Sequence, residues 1–186
     1  MNRGGAMAAA IKPVRAGMRM VGQARTASIM VGDNSILHLA LREMQPGDVL
    51  VIDGGGALEV ALWGGVLNAA AKARKIGGVV IDGAARDAAE LRDADLPIYC
   101  RGFTPRGPHK GFGGVFDAPA AVGGAPVSSG DIVIGDDDGV VVVPIADRAA
   151  VLDACRANLA KEARWLSEIE SGADTPTILG VPGFTT

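Results

Sequence analysis

A basic surplus is what this sequence most plainly lacks: 18 lysines and arginines stand against 21 aspartates and glutamates, for a formal charge of −3. That balance excludes a large sequence-independent nucleic-acid footprint, which needs a cationic patch. Aromatic residues make up 4% of the chain, too few for a platform that stacks single-stranded bases. The only cysteines, Cys100 and Cys155, fall in an expected strand and an expected helix and provide neither a disulfide framework nor zinc spacing. No apolar run approaches the roughly 20 residues of a membrane helix, and residues 1–10 lack the apolar stretch of a signal peptide. No membrane partner and a cytoplasmic location are therefore expected. Nucleotide signatures are missing too: if Gly54 and Gly56 open a dinucleotide fingerprint, its third glycine falls on Glu59, and no Walker sequence exists. The Gly54–Gly56 run reads as a tight turn. His38 and His109 have no serine or cysteine arrangement that suggests a triad.

What is present is apolar and glycine-rich. With 186 residues, 48% hydrophobic, the chain can bury a real core as a single domain spanning residues 1–186. Residues 1–10 are expected to be frayed. Residues 14–31 alternate in pieces and predict two strands or one long bent strand. Asp33 or Asn34 caps a helix to about Met44, which Gln45-Pro46-Gly47-Asp48 ends. Further strands are expected at 49–52, 96–100, 115–122, 126–127, 132–134 and 140–143. Residues 103–114 form a surface loop. Asp138-Gly139 is a strong hairpin signal, so Asp136-Asp137-Asp138 reads as a turn rather than a metal cluster. Pro46–Gly54 faintly echoes 129–136, as turn-plus-strand chemistry explains. A long helix over 146–171 stops at Gly172, before an extended tail over 173–186. Its mixed charge suits a helix lying across a neighbouring subunit or on its own domain.

The centre of the chain is residues 62–87. Here a glycine turn feeds an alanine-rich helix over 66–75, Gly77-Gly78 stops it, an apolar strand covers 79–81, and a polar loop ends in Arg86-Asp87. A strand this apolar is covered on both faces, and in such sheets the loop leaving the carboxyl end favours ligands. Taken alone, Arg86 reads as a solvated charge, and Asp87 as a helix N-cap with capping-box spacing to Glu90. Trp63 reads as packing.

Over 14–172 the sequence resembles the family that contains the regulator of ribonuclease E activity A and the 4-hydroxy-4-methyl-2-oxoglutarate/4-carboxy-4-hydroxy-2-oxoadipate aldolases. The matching segments are residues 46–53, Trp63-Gly64-Gly65, residues 78–87, Leu96-Pro97-Ile98-Tyr99 and residues 135–144. The resemblance implies an α/β fold, an α/β/β sandwich of the swivelling-domain type with a long C-terminal helix, assembled as trimers or hexamers with sites between subunits. It implies that Arg86 binds the pyruvoyl side of a 2-oxo acid and that Asp87 is the direct ligand of Mg²⁺ or Mn²⁺. It further implies that the amides of Gly64, Gly65, Val66 and Leu67 hold the substrate carboxylate, and that Glu162, placed by spacing, reaches in from the next subunit.

Two departures accompany the match. Active aldolases carry an acid separated by twenty residues from the Arg-Asp pair, and here that position is Gly65. Glycine carries no proton, so a contribution of roughly 10²–10⁴ in rate is expected to be absent or supplied elsewhere. A Gly65→Asp change tests whether that acid is what the cleft lacks. The N-terminal helical segment usual in the family is also not evident before the first strand. The resemblance implies a metal-dependent lyase that releases pyruvate or decarboxylates oxaloacetate. The alternative is a non-catalytic regulator that contacts an endonuclease, with a vestigial cleft. A quinone-precursor methyltransferase, a third name attached to the family, finds no methyl-donor glycine motif here.

Overall fold

The computed structural model of the chain describes residues 4–183. Contacts group the chain into two compact units, 1–145 and 146–186, where the sequence reading drew one domain.

The first unit is built on a sheet whose middle is parallel and whose flanks are antiparallel. Strand β1 (Lys12–Pro13) is followed by the ten-residue β2 (Met20–Ile29), helix α1 (Ser35–Glu43), β3 (Val49–Asp53), β4 (Ala61–Trp63), α2 (Gly65–Ala73), β5 (Gly78–Ala85), α3 (Ala88–Asp93) and β6 (Ile98–Phe103). Then come β7 (Gly114–Phe116), β8 (Ala120–Val122), β9 (Ala125–Val127), β10 (Ile132–Asp136) and β11 (Gly139–Val143). The main path runs β1-β6-β5-β3-β2-β10-β11, with β4 added beside β5 and β7 beside β2. The outer strands approach one another through the N-terminal segment, so the sheet is nearly closed. Ala6 bridges Val141, and the Met7 amide donates to the Val140 carbonyl at 2.9 Å. Helices form one layer, and the separate β8–β9 hairpin packs over β2 and β3 as the third. This is the expected α/β/β arrangement.

The central strands read as continuous apolar runs because both of their faces are covered. Every residue of β5 is buried, as are Val49, Leu50, Val51 and Ile52 of β3. One long strand, not two, occupies 20–29. β5 also runs four residues beyond the expected 79–81. Its first half pairs β3, Val49↔Gly78 to Ile52↔Ile81, and its second half pairs β4 through Ala61↔Ala84 and Trp63↔Ala85. That second partner extends the strand, so Arg86 and Asp87 leave directly from its carboxyl end. Asp82, buried within it, is satisfied by the Arg101 guanidinium and by the Gly123 amide at 2.7 Å.

Two terminal expectations need correction. Residues 4–10 are not frayed: Met7 is buried, and the Ala8 amide donates to the Gly123 carbonyl at 2.7 Å. Hydrogen bonds to a sheet edge hold this segment, a stabilisation that small-residue composition does not reveal. The 173–183 segment is not simply extended, because it contains α5 (Thr175–Leu179). Asp174 caps this helix by accepting from the Thr177 amide at 2.8 Å, Pro176 sits in its first turn, and Gly180 closes it at φ 63°. The remaining parts of both expectations, residues 1–3 and 184–186, lie outside the described residues.

The second unit consists of α4 (Arg148–Glu170) and α5. No residue of α4 is buried; Leu152, Leu159 and Leu166 stand exposed at seven-residue intervals. Glu162 lies with Trp165 and Leu166 along a groove between α4 and α5. Among the described residues no helix is long and apolar enough to cross a membrane.

Candidate active site

Two adjacent turns of the first unit build the site. The first joins β4 to α2 through Gly64 and Gly65; the second joins β5 to α3 through Arg86 and Asp87. Pairing of Trp63 with Ala85 sets them side by side, and the Arg86 amide donates to the Trp63 carbonyl at 2.9 Å. Trp63 itself is buried packing, as its sequence context suggests.

Asp87 occupies the N-cap position of α3 but makes no side-chain cap, so the capping box with Glu90 does not form. Its backbone is left-handed, φ 60° and ψ 44°, a conformation costing a non-glycine residue about 1–2 kcal/mol. The carboxylate instead turns back across the first loop. Its Oδ2 accepts from the Gly65 amide at 2.8 Å and lies 3.6 Å from Arg86 Nε. The Gly65 amide is thus engaged by Asp87. Helix geometry leaves the amides of Val66 and Leu67, in the first turn of α2, without intrahelical partners. Those two amides are the donors this turn can offer an anion.

At Gly64 and Gly65 the constraint on a side chain is close approach, not an unusual dihedral. A Cβ on Gly64 would lie 2.7 Å from Asp87 Oδ2 and 2.9 Å from Arg86 Cγ. A Cβ on Gly65 would lie 2.6 Å from both carboxylate oxygens of Glu90. The space an acidic side chain at position 65 would enter is therefore already filled by the carboxylate of Glu90. The sequence did not bring Glu90 to this turn; the spacing Arg86-Asp87-x-x-Glu90 was its only signal, and it reads as a cap.

Arg86 stands between two cavities. One, of about 310 Å³, is lined by Arg86, Asp87, Ala88, Phe103, Thr104 and Pro105. The other, of about 90 Å³, is lined by Arg86 with Asn34, His38, Trp63, Leu67 and Lys110, among others. Burial, and then the Lys110 charge, push His38 below its ordinary value. The buried Asn34 Oδ1 and Trp63 Nε1 have no hydrogen-bond partner among the described residues. Cys100 stands apart from this chemistry, its thiol pushed up to about 11 by burial.

For a metal, the donor set is sparse: among the described residues no three His, Cys, Asp or Glu side chains cluster as ligands. Asp87, with 40% of its side chain exposed and one oxygen bonded to an amide, offers a single carboxylate. That suits a hard divalent cation which keeps most of its shell as water. Glu162 belongs to the second unit, so the site of the first unit consists of Arg86, Asp87, Glu90 and the 64–67 turn.

Known proteins carry the same frame. The chain is 38% identical over 146 residues to a protein of Halalkalibacterium halodurans named "Putative 4-hydroxy-4-methyl-2-oxoglutarate aldolase", covering 78% of this chain and 70% of that protein. A structure of the RNA-processing inhibitor RraA from Thermus thermophilis superposes with a TM-score of 0.71 at 34% identity, covering 77% of this chain and 87% of that one. Streptomyces coelicolor RraAS2, described as an unusual member of the RNase ES inhibitor RraA family, gives 0.79 at 31% identity, covering 91% and 86%. The RraA-like family model, described as Aldolase/RraA, matches residues 1–142. On that match and the shared fold, the chain belongs to the RraA-like family.

Proposed function

We propose that the protein is a divalent-metal-dependent lyase that releases pyruvate from 2-oxo acids of the 4-hydroxy-4-methyl-2-oxoglutarate type, or decarboxylates oxaloacetate. The observation that carries this reading is the Glu90 carboxylate filling the space beside Gly65, next to Arg86 and Asp87. In this reading the carboxylate beside Gly65 carries the proton although the expected position holds glycine.

In this reading Arg86 and the Val66 and Leu67 amides bind and orient the carboxylate of the 2-oxo acid. Asp87 holds Mg²⁺ or Mn²⁺, which supplies Lewis-acid stabilisation of charge on the 2-oxo oxygen. Glu90 accepts the proton of the 4-hydroxyl, directly or through one water, as the C3–C4 bond breaks and C4 becomes a carbonyl. The electron pair left on C3 delocalises as the enolate of pyruvate, beside the Arg86 guanidinium, where charge grows only as the bond breaks. Glu90 then returns the proton to C3, and pyruvate leaves. Decarboxylation of oxaloacetate follows the same route, with carbon dioxide as the departing fragment and the returned proton drawn from solvent.

The assembly we propose is a homotrimer or hexamer in which Glu162, from a neighbouring copy's α4, completes the site. Helix α4, with no buried residue and with leucines at seven-residue spacing, supports association through that helix. The second reading, a regulator that contacts an endonuclease, is favoured by the likeness to the two RraA structures. Pyruvate release, measured with magnesium or manganese and with chelator, decides between them. Turnover that needs metal, Arg86 and Asp87 supports the lyase; absence of turnover, with endonuclease binding that survives Asp87→Ala, supports the regulator.

A further inference from the structure

The mechanism above leaves two buried carboxylates unused: Asp82, which the Arg101 guanidinium pairs, and Asp33. Asp33 is fully buried and carries four hydrogen bonds: from the Ser35 amide at 2.8 Å, from the Ser35 hydroxyl, from the Gly111 amide at 2.7 Å and from the Phe112 amide at 3.1 Å. Two donors come from the start of α1 and two from the loop after β6. The same loop is stitched to residues 32–35 elsewhere. The His109 amide donates to the Gly32 carbonyl at 2.8 Å, the Asn34 amide to the His109 carbonyl at 3.1 Å, and the Gly113 amide to the Ser35 hydroxyl at 3.0 Å. Lys110 stands inside this stitched stretch and lines the smaller cavity together with Arg86.

A glycine-rich loop that ends on the surface would ordinarily sample many conformations, and an exposed lysine on it would present no fixed charge. Here one acceptor group binds both flanks and removes that freedom. We propose that Asp33 is a positioning residue for the site: it fixes the loop so that Lys110 faces the cavity it shares with Arg86, giving an anionic substrate two cations instead of one. The functional half of this proposal rests on the reading of Arg86 as a substrate-anion ligand; the geometric half does not. Burial opposes ionisation of Asp33, but its hydrogen bonds outweigh burial and hold it below the usual carboxylate range, so it remains an acceptor at neutral pH.

The experiment follows His38 by proton NMR titration in wild type, Asp33→Asn, Lys110→Ala and the double variant. His38 lines the same cavity as Lys110, and burial first and then the Lys110 charge hold it down. If Asp33 positions Lys110, Asp33→Asn raises the His38 pKa, Lys110→Ala raises it too, and the double variant raises it no further than Lys110→Ala alone. Loss of the Asp33 charge by itself has the opposite sign, because it removes a negative group that favours imidazolium. An unchanged or lowered His38 in folded Asp33→Asn, or additive rises in the double variant, overturns the proposal. Ser35→Ala, which keeps the carboxylate but removes the hydroxyl that ties both Asp33 and Gly113, must move His38 upward as well. This variant decides the matter if Asp33→Asn does not fold. In parallel, Asp33→Asn is expected to raise KM for oxaloacetate roughly fivefold to tenfold, with the loss on KM and not on kcat. An unchanged KM in an active enzyme overturns the functional half, whereas absence of turnover in wild type overturns the lyase reading and leaves the His38 titration to decide the positioning.

Discussion

The carboxylate of Glu90 lies where a side chain on Gly65 would have to begin, 2.6 Å from that Cβ position through both of its oxygens. A side chain at position 65 therefore requires the exposed Glu90 carboxylate, the far end of a flexible side chain, to swing aside. Glu90→Gln is therefore expected to lower kcat for pyruvate release by about 10²–10⁴, the usual range for loss of a general acid/base. Gly65→Asp in the wild-type background is expected to lose activity, because the new side chain displaces Glu90. Gly65→Asp combined with Glu90→Ala is expected to recover part of the loss of Glu90→Ala. Steady-state rates on oxaloacetate for these variants check the exchange.

This pair also marks what could and could not be read from the sequence. The parallel core was legible because 49–52 and 79–81 are apolar runs, and Arg86-Asp87 was legible because it follows the second of them. The relation of Gly65 to Glu90 was not, since it arises from two turns brought together by the pairing of β4 with β5. Local spacing suggested a capping box instead, and the left-handed backbone of Asp87 is what undoes it. Helix α5 could have been found: Asp174, Pro176 and Gly180 are start and stop signals in their proper order. The ordered residues 4–10 could not, because their partners, Gly123, Val140 and Val141, lie more than a hundred residues away.

Gly64 tests whether Arg86 and Asp87 act as one constellation. Its φ of −165° is extended backbone open to any residue, so the demand for glycine is steric. A methyl group there meets Asp87 Oδ2 and the Arg86 side chain together. Gly64→Ala is expected to cost about 1–3 kcal/mol of stability, as overpacking does. It should also abolish measurable pyruvate release while the far-ultraviolet circular dichroism stays native. Retained activity would mean that the arginine and the aspartate need not stand in this geometry.

Acid sensitivity should trace to Asp33. In the unfolded chain its carboxyl titrates at the ordinary value of about 4, while in the folded chain hydrogen bonds hold it lower. The unfolded state thus takes up a proton first as pH falls. The stability Asp33 contributes is complete above the unfolded pKa and drains away as pH drops through the depressed folded one. Asp117, held down first by its hydrogen bond from Arg25, adds a contribution of the same sign. Urea unfolding at pH 7 should find Asp33→Asn less stable than wild type by about 1–3 kcal/mol, the cost of buried donors left unmatched. The gap should narrow as pH falls below about 4, where wild type loses what the variant never had.

Variants at Asp87 test stability and the proposed metal role at one position. Its left-handed backbone costs about 1–2 kcal/mol that glycine does not incur, against the hydrogen bond its carboxylate accepts from Gly65. Asp87→Gly removes both, so its thermal midpoint should stay within a few degrees of wild type. Asp87→Asn keeps a side chain that tolerates the left-handed conformation but withdraws the charge. If the carboxylate is there to hold a divalent cation, both variants should fail to bind Mn²⁺ by calorimetry and fail to release pyruvate, while wild type loses activity with chelator and regains it with excess Mg²⁺. Mn²⁺ binding that persists in folded Asp87→Asn would assign the metal to other ligands. A residue whose strain is tolerated and whose removal costs only activity is one held for its chemistry.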